Sequence, residues 1–312
     1  MNDFWQDLPR PFFVLAPMDG VTDAVFRHVV AKAAPPDAYV TEFTNAAAFF
    51  SESGRKSTDA RLAFTPDEQP IVAQIWGTNP EHYAFMARAL AKRGFAGIDI
   101  NMGCPVKDVI KTGACSALIE APELAAKLIA AAKEGGLPVS VKTRLGFKTK
   151  KTEEWIGFLL GQNLAAITIH GRTQKEMSTP PADWDAIAQA VKLRNKLAPQ
   201  TLIIGNGDVT TRAEGLERVK QTGVDGIMIG RGVFTNPFCF EPEPRAHSRE
   251  ELLALLNFHL NLVESAGHKM PFAPLKRFFK IYIRDFDGAG ELRARLMETQ
   301  SISEVRSLLS VL

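Results

Sequence analysis

Cysteine is scarce in this chain, with three among 312 residues, at Cys104, Cys115 and Cys239. They form no C-x-x-C pair and their number is odd. A disulfide framework or a cysteine-rich zinc or iron–sulfur site is therefore not expected, and a reducing cytoplasm is. No apolar run approaches the ~18–20 residues of a membrane span. The N-terminal Met1-Asn2-Asp3 lacks the basic and apolar stretches of a signal peptide, so no membrane partner is expected. Neither sign of charge dominates. Lysine and arginine number 37 against 35 acids, a net +2, which argues against a uniformly basic nucleic-acid coat.

What is present is an ordinary globular composition, 46% apolar and 23% charged. Eight short apolar runs read as strands: Phe12–Ala16, Ala38–Phe43, Ile71–Trp76, Gly97–Ile100, Pro138–Lys142, Ala165–His170, Leu202–Gly205 and Gly226–Gly230. Amphipathic stretches lie between them, among them 80–93, 122–133, 153–162, 184–196 and 213–221. Strand–helix alternation means parallel strands with crossover helices, and eight units fit a (β/α)8 TIM barrel. A doubly wound sheet would prefer G-x-G-x-x-G after the first strand, where this chain has Ala16-Pro17-Met18-Asp19-Gly20. Glu241-Pro242-Glu243-Pro244 then breaks the pattern. Only helical periodicity follows, at 249–266, 272–286, 289–299 and 301–311. The expected organisation is a barrel over 1–242 and a small all-helical C-terminal domain over 243–312.

A barrel places its chemistry at the C-terminal strand ends. Those ends carry Pro17, Met18 and Asp19; Glu42; Gln74; Asn101 with Cys104; Lys142 with Arg144; His170 with Arg172; Asn206, Gly207 and Asp208; and Gly230 with Arg231. The glycine loops after strands seven and eight expose backbone N–H groups where barrels hold phosphate, and Arg231 adds a cation. Lys142 closes an apolar strand, either to hold an anionic ring or to reach water. Gln74 and Asn101 can read a heterocycle edge or close a turn. His170 can donate to a ring carbonyl or be a structural histidine. Cys104, in a turn between Gly103 and Pro105, is a candidate proton donor or nucleophile, or a small buried hydrophobe. Cys115 and Cys239 read as buried and inert.

Several of these segments together resemble the FMN-dependent tRNA-dihydrouridine synthase family. They are Ala16-Pro17-Met18-Asp19-Gly20-Val21-Thr22-Asp23, Asn101-Met102-Gly103-Cys104-Pro105-Val106-Lys107, Lys142-Thr143-Arg144-Leu145-Gly146, His170-Gly171-Arg172-Thr173, Gly205-Asn206-Gly207-Asp208 and Gly230-Arg231-Gly232. The resemblance runs from about Pro11 to Leu309. It implies a flavin barrel with a helical tail that reduces uridines in tRNA with NADPH. Pro17, Met18 and Asp19 would line FMN, and Gln74, Lys142 and His170 would contact its rings. Asn206, Gly207, Asp208, Gly230 and Arg231 would hold the ribityl phosphate. Cys104 would be the general acid to C5, an ordinary thiol (pKa ~8.5) mostly protonated at neutral pH. Asn101 would meet the target base, with Glu42, Arg144 and Arg172 on the substrate side. Two positions depart from the family pattern: a glycine is common near Cys115, and an aromatic near Ser178.

A flavoprotein acting on a free pyrimidine, similar to dihydroorotate dehydrogenase, is the alternative. The tail favours RNA. Residues 1–244 carry 27 basic and 27 acidic side chains, whereas Lys269, Lys276, Arg277, Lys280 and Arg284 are unopposed within their own stretch. Lys276, Lys280 and Arg284 recur at four-residue steps, which on one helix makes a basic stripe for tRNA phosphates. Phe278, Phe279, Tyr282 and Phe286 read as core. A monomer is expected, since an L-shaped RNA would cover much of one face.

Overall fold

Phe12, Val14 and Ala16 project to one side of the first strand, and Phe13 and Leu15 to the other, yet all five are buried. The computed structural model, which describes residues 3–266 and 271–310, accounts for this. The first set fills the inside of a barrel, and the second packs under a ring of helices. The strands are β1 (Phe12–Leu15), β2 (Ala38–Val40), β3 (Thr44–Asn45), β4 (Ile71–Trp76), β5 (Gly97–Met102), β6 (Val139–Gly146), β7 (Ala166–Thr173), β8 (Leu202–Asn206) and β9 (Gly226–Ile229). All pairings are parallel, and the ring closes through β9 on β1 and β2 on β4. β3 follows β2 along the same partner, so nine segments form eight staves of a (β/α)8 barrel. Trp5, on the turn Phe4–Asp7, plugs the N-terminal end against Phe12.

The longer helices start where the chemistry of capping places them. They are α1 (Ala24–Ala33), α2 (Pro80–Lys92), α3 (Pro122–Lys133), α4 (Trp184–Leu197), α5 (Arg212–Thr222), α6 (Arg249–Ala266), α7 (Ala289–Glu298) and α8 (Ile302–Leu309). Asp23, Asp183, Thr211 and Ser301 accept backbone N–H bonds at the N-caps of α1, α4, α5 and α8. Pro80 and Pro122 occupy first-turn positions, where no N–H is needed.

Four segments differ from the sequence expectation. β6 and β7 run four and three residues past Lys142 and His170, because Arg144 pairs with His170 and Gly146 with Thr173 across the ladder. The 153–162 stretch is a π turn, Thr152–Ile156, followed by one α turn, Gly157–Leu160. The 272–286 stretch is no single helix. It is a 3-10 segment, Ala273–Phe278, then one α turn, Phe279–Tyr282, ending at non-helical Ile283. Leu275, Phe278, Phe279, Ile281, Tyr282 and Ile283 are all buried there, so the segment has apolar contacts on every side rather than on one stripe. Phe278 stacks near Phe26 of α1 with ring centroids 4.6 Å apart, joining tail and barrel in one apolar cluster.

A candidate flavin site at the barrel mouth

The ladder register carries polar side chains around the C-terminal rim. Gln74 lies beside Asp99, Asn101 beside Lys142, Arg144 beside His170, and His170 beside Asn206. A cavity of about 470 Å³ opens there, within the ordinary ligand range of ~300–1,000 Å³. Pro17, Met18, Lys142, His170, Asn206, Gly207, Asp208, Gly230 and Arg231 line it. Nine of the eleven residues expected at the flavin therefore face one space.

Lys142 donates no hydrogen bond to any described residue. Burial, helped by the Arg144 charge, lowers its pKa to about 8. His170 is pushed down to about 2, first by burial and then by Lys142, Arg144, Arg172 and Arg231, so its ring is neutral. Arg172 Nη1 lies 3.1 Å from His170 Nε2; since a guanidinium can only donate, the ring proton resides on Nδ1. At Gly207, φ is +127° and an added Cβ would meet Ala182 Cβ at 2.7 Å, so only glycine lets this loop close against His170. Asp208 bridges Arg172 and Arg231 and accepts from Ala182 N at 2.8 Å. Arg231, 68% exposed, stands at the rim. A part-buried ammonium with no hydrogen-bond acceptor among the described residues, a neutral donor ring and a side-chain-free rim with a guanidinium suit an anionic heterocycle with a phosphate tail.

Asp19 and Gln74 lie off the cavity wall. Asp19 turns outward to pair with Arg61. Gln74 is fully buried, donating to Asp99 Oδ2 at 2.7 Å and accepting from Asn101 Nδ2 at 3.0 Å. Asn101 Oδ1 in turn accepts from Gly103 N and Cys104 N at 3.0 and 2.9 Å, so its side chain closes the Cys104 turn.

The expected RNA contacts change more. Glu42 is buried, accepts from Gly20 N and faces Arg61 at 3.6 Å; its pKa is raised by burial. Arg144, 4% exposed, donates to the carbonyls of Gly103, Thr173 and Met177. Arg172, 2% exposed, donates to Pro180 O and pairs with Asp208. These two guanidiniums tie loops together rather than facing an RNA phosphate. The basic stripe has no single helix face to lie on, and its described residues make local contacts. Lys276 Nζ donates to Met297 O at 2.8 Å, and Arg277 Nη1 to Gly20 O at 2.8 Å. Lys280 lies over the Phe234 ring, and Arg284 bonds Thr235 O and Asp285. Lys269 lies outside the described residues.

Cys104 follows β5 in a turn that Asn101 and Arg144 hold in place. It is half-buried. The Cys115 thiol hydrogen-bonds to its sulfur, and that bond, outweighing burial, draws the Cys104 pKa down to about 6. Cys115 is pushed far above the ordinary thiol range by the same bond and by burial. The two thiols titrate as a coupled pair in which Cys104 is the more acidic. This corrects two expectations, an ordinary Cys104 thiol and an inert Cys115.

The sequence pattern of the family described as dihydrouridine synthase matches residues 14–311. The chain belongs to the dihydrouridine synthase family. It is 54% identical over 311 residues to the probable tRNA-dihydrouridine synthase 2 of Bacillus subtilis strain 168, covering 99% of this chain and 96% of that one. It is 53% identical over 311 residues to a probable tRNA-dihydrouridine synthase of Staphylococcus epidermidis strain RP62A, covering 99% and 95%. Among solved structures, 2-naphthoyl-CoA reductase in complex with 2-naphthoyl-CoA superposes with a TM-score of 0.57 at 11% identity, over 76% of this chain and 52% of that one. At that identity the likeness concerns the fold alone.

Three side chains at the mouth of this dihydrouridine synthase escaped the sequence reading. Arg61 comes from a short 3-10 turn, Asp59–Leu62, with no pattern to mark it. Cys115 meets Cys104 only through the fold. Asp99 did carry a signal: Ile98, Ile100 and Met102 alternate with Asp99 and Asn101 along β5, which places an acid at an inward position.

Proposed function

We propose that this chain reduces uridines in tRNA to 5,6-dihydrouridine, with FMN in the mouth cavity and NADPH as the source of reducing equivalents. The reading rests above all on Lys142, a cavity-lining ammonium without a hydrogen-bond acceptor among the described residues. A part-buried ammonium of that kind, lining a cavity, favours an anionic ligand. Reduced flavin bound there supplies hydride to uracil C6.

The chain's own groups do the rest. His170, protonated at Nδ1, donates to a ring carbonyl. Gly207 and Gly230 open the backbone to the phosphate, and Arg231 neutralises it at the rim. Asn101 and Arg144 fix the turn that presents Cys104, which delivers a proton to C5. The target base must leave its RNA stack to reach that position, at a cost of a few kcal/mol. Residues 243–312 are proposed as the tRNA-binding unit on a catalytic barrel over 1–242. Exposed Lys107, Lys148 and Lys175, which follow β5, β6 and β7, are the proposed phosphate contacts on the barrel side.

Purified protein should carry a flavin spectrum and form dihydrouridine in unmodified tRNA with NADPH. Cys104→Ala should keep the flavin and lose roughly 10²–10⁴-fold in rate, the usual worth of a positioned acid. Protein that binds no FMN, or a Cys104→Ala variant with the full rate, would overturn the reading.

A further inference from the structure

Cys104 and Cys115 lie eleven positions apart in sequence, yet the two turns that carry them are bonded together. Ser116 Oγ donates to Cys104 O at 2.8 Å, and the two thiols hydrogen-bond to each other. Cys115 is fully buried and holds φ at +54°, a left-handed backbone in which glycine is at ease and an L side chain is strained. A thiol is thus kept facing Cys104 at a strained position. Cys104 is the more accessible of the two, and neither is bonded to another cysteine. Cys239 packs apart from them, beside Phe238 and Phe240 in the apolar cluster.

We propose that Cys104 and Cys115 are a peroxide-sensitive pair that closes into a reversible disulfide, switching the enzyme off under oxidising conditions. The loss of activity rests on the reading of Cys104 as proton donor; the disulfide itself does not.

The chemistry balances with hydrogen peroxide as oxidant. The Cys104 thiolate attacks one peroxide oxygen, the O–O bond breaks, and the departing hydroxide takes up the thiol's former proton as water. Cys104 is left as a sulfenic acid. The Cys115 sulfur then attacks the Cys104 sulfur, the S–O bond breaks, and hydroxide leaves with the Cys115 proton as a second water. Two thiols have lost two electrons and two protons, and one peroxide has become two waters. The greater acidity of Cys104 favours the first step, since thiolate is the nucleophile. The adjacency of Cys115 favours the second over further oxidation of Cys104. A reducing dithiol reverses the bond, as befits a cytosolic redox pair.

The test uses the full-length, flavin-loaded enzyme titrated with hydrogen peroxide. Remaining thiols are alkylated, and peptides are mapped without reduction. The expected result is a Cys104–Cys115 crosslink whose yield tracks loss of tRNA reduction, at roughly 10²-fold when complete. Dithiothreitol should restore both. Cys115→Gly, which the backbone accepts, should give no crosslink, a Cys104 sulfinic acid and an inactivation that dithiothreitol does not reverse. Cys239→Ala should crosslink as the parent does. Absence of the crosslink in the parent, while Cys104→Ala is inactive, overturns the disulfide and leaves the proton-donor reading standing. A complete crosslink with undiminished turnover overturns the switch and that reading together.

Discussion

The carboxamide of Asn101 holds the backbone of Cys104, its Oδ1 accepting from Cys104 N at 2.9 Å. The same oxygen accepts from Gly103 N, while Nδ2 donates to Gln74 and Gln74 donates to Asp99. A buried acid therefore sets the orientation of two amides, and the second sets the turn. Asn101→Ala should release that turn. Displacing a reacting group by ~1 Å can cost roughly 10²-fold, so turnover should fall by about that factor. FMN should be retained, because Asn101 does not line the cavity. Loss of FMN together with activity would show that the amide serves the cofactor instead.

The thiol pair predicts a pH dependence. The hydrogen bond from Cys115 lowers the Cys104 pKa to about 6. A lowered pKa depletes the acid form as pH rises through that value. Turnover that needs a Cys104 proton should therefore decline as pH rises through the apparent value of the pair. Cys115→Gly removes the hydrogen bond and should move the declining limb upward, towards the ordinary thiol range of ~8.5. Single-turnover pH profiles of the two proteins check this; a limb that stays in place would show that Cys115 does not control the titration.

RNA affinity separates the two sets of cations. Lys276 donates to Met297 O, so Lys276→Ala should leave the salt dependence of tRNA binding unchanged. Lys107→Ala and Lys148→Ala should each weaken binding and reduce the log–log salt slope by roughly one. Filter binding over a salt series reads both. A slope that falls only with Lys276→Ala would move the phosphate contacts from the barrel-mouth lysines to the tail cations.

Stability has its own marker beneath the loop after β1. Arg27 is fully buried and forms an ion pair with Glu68 at 2.6 Å. It also donates to Thr22 O and Ala63 O. Glu68→Ala would leave a buried guanidinium without its acid, which typically costs ~3–5 kcal/mol. Denaturant unfolding should show a loss of that order. Thr22 Oγ1 also accepts from Met18 N, so FMN affinity should weaken alongside it.

The barrel was legible because its strands are apolar on both faces, and Ile71–Trp76 and Pro122–Lys133 fall where the pattern put them. Arg144 and Arg172 were legible as mouth residues but not as clamps, since Arg144 reaches the Gly103, Thr173 and Met177 carbonyls and Arg172 reaches Pro180 O and the Asp208 carboxylate only once the chain is folded. The tail stripe misled because four-residue spacing makes a face only on an α-helix, and here the chain is a 3-10 segment followed by one α turn that ends at Ile283.

The sequence by itself determined the architecture and the list of polar residues at the strand ends, since periodicity and strand-end placement are local properties. Tertiary structure alone decided which of those groups stay free. Folding left Lys142 without a hydrogen-bond acceptor among the described residues and bound Arg277 to Gly20 across the molecule. It also set Cys115 against Cys104, because hydrogen bonds between distant segments depend on how the loops meet.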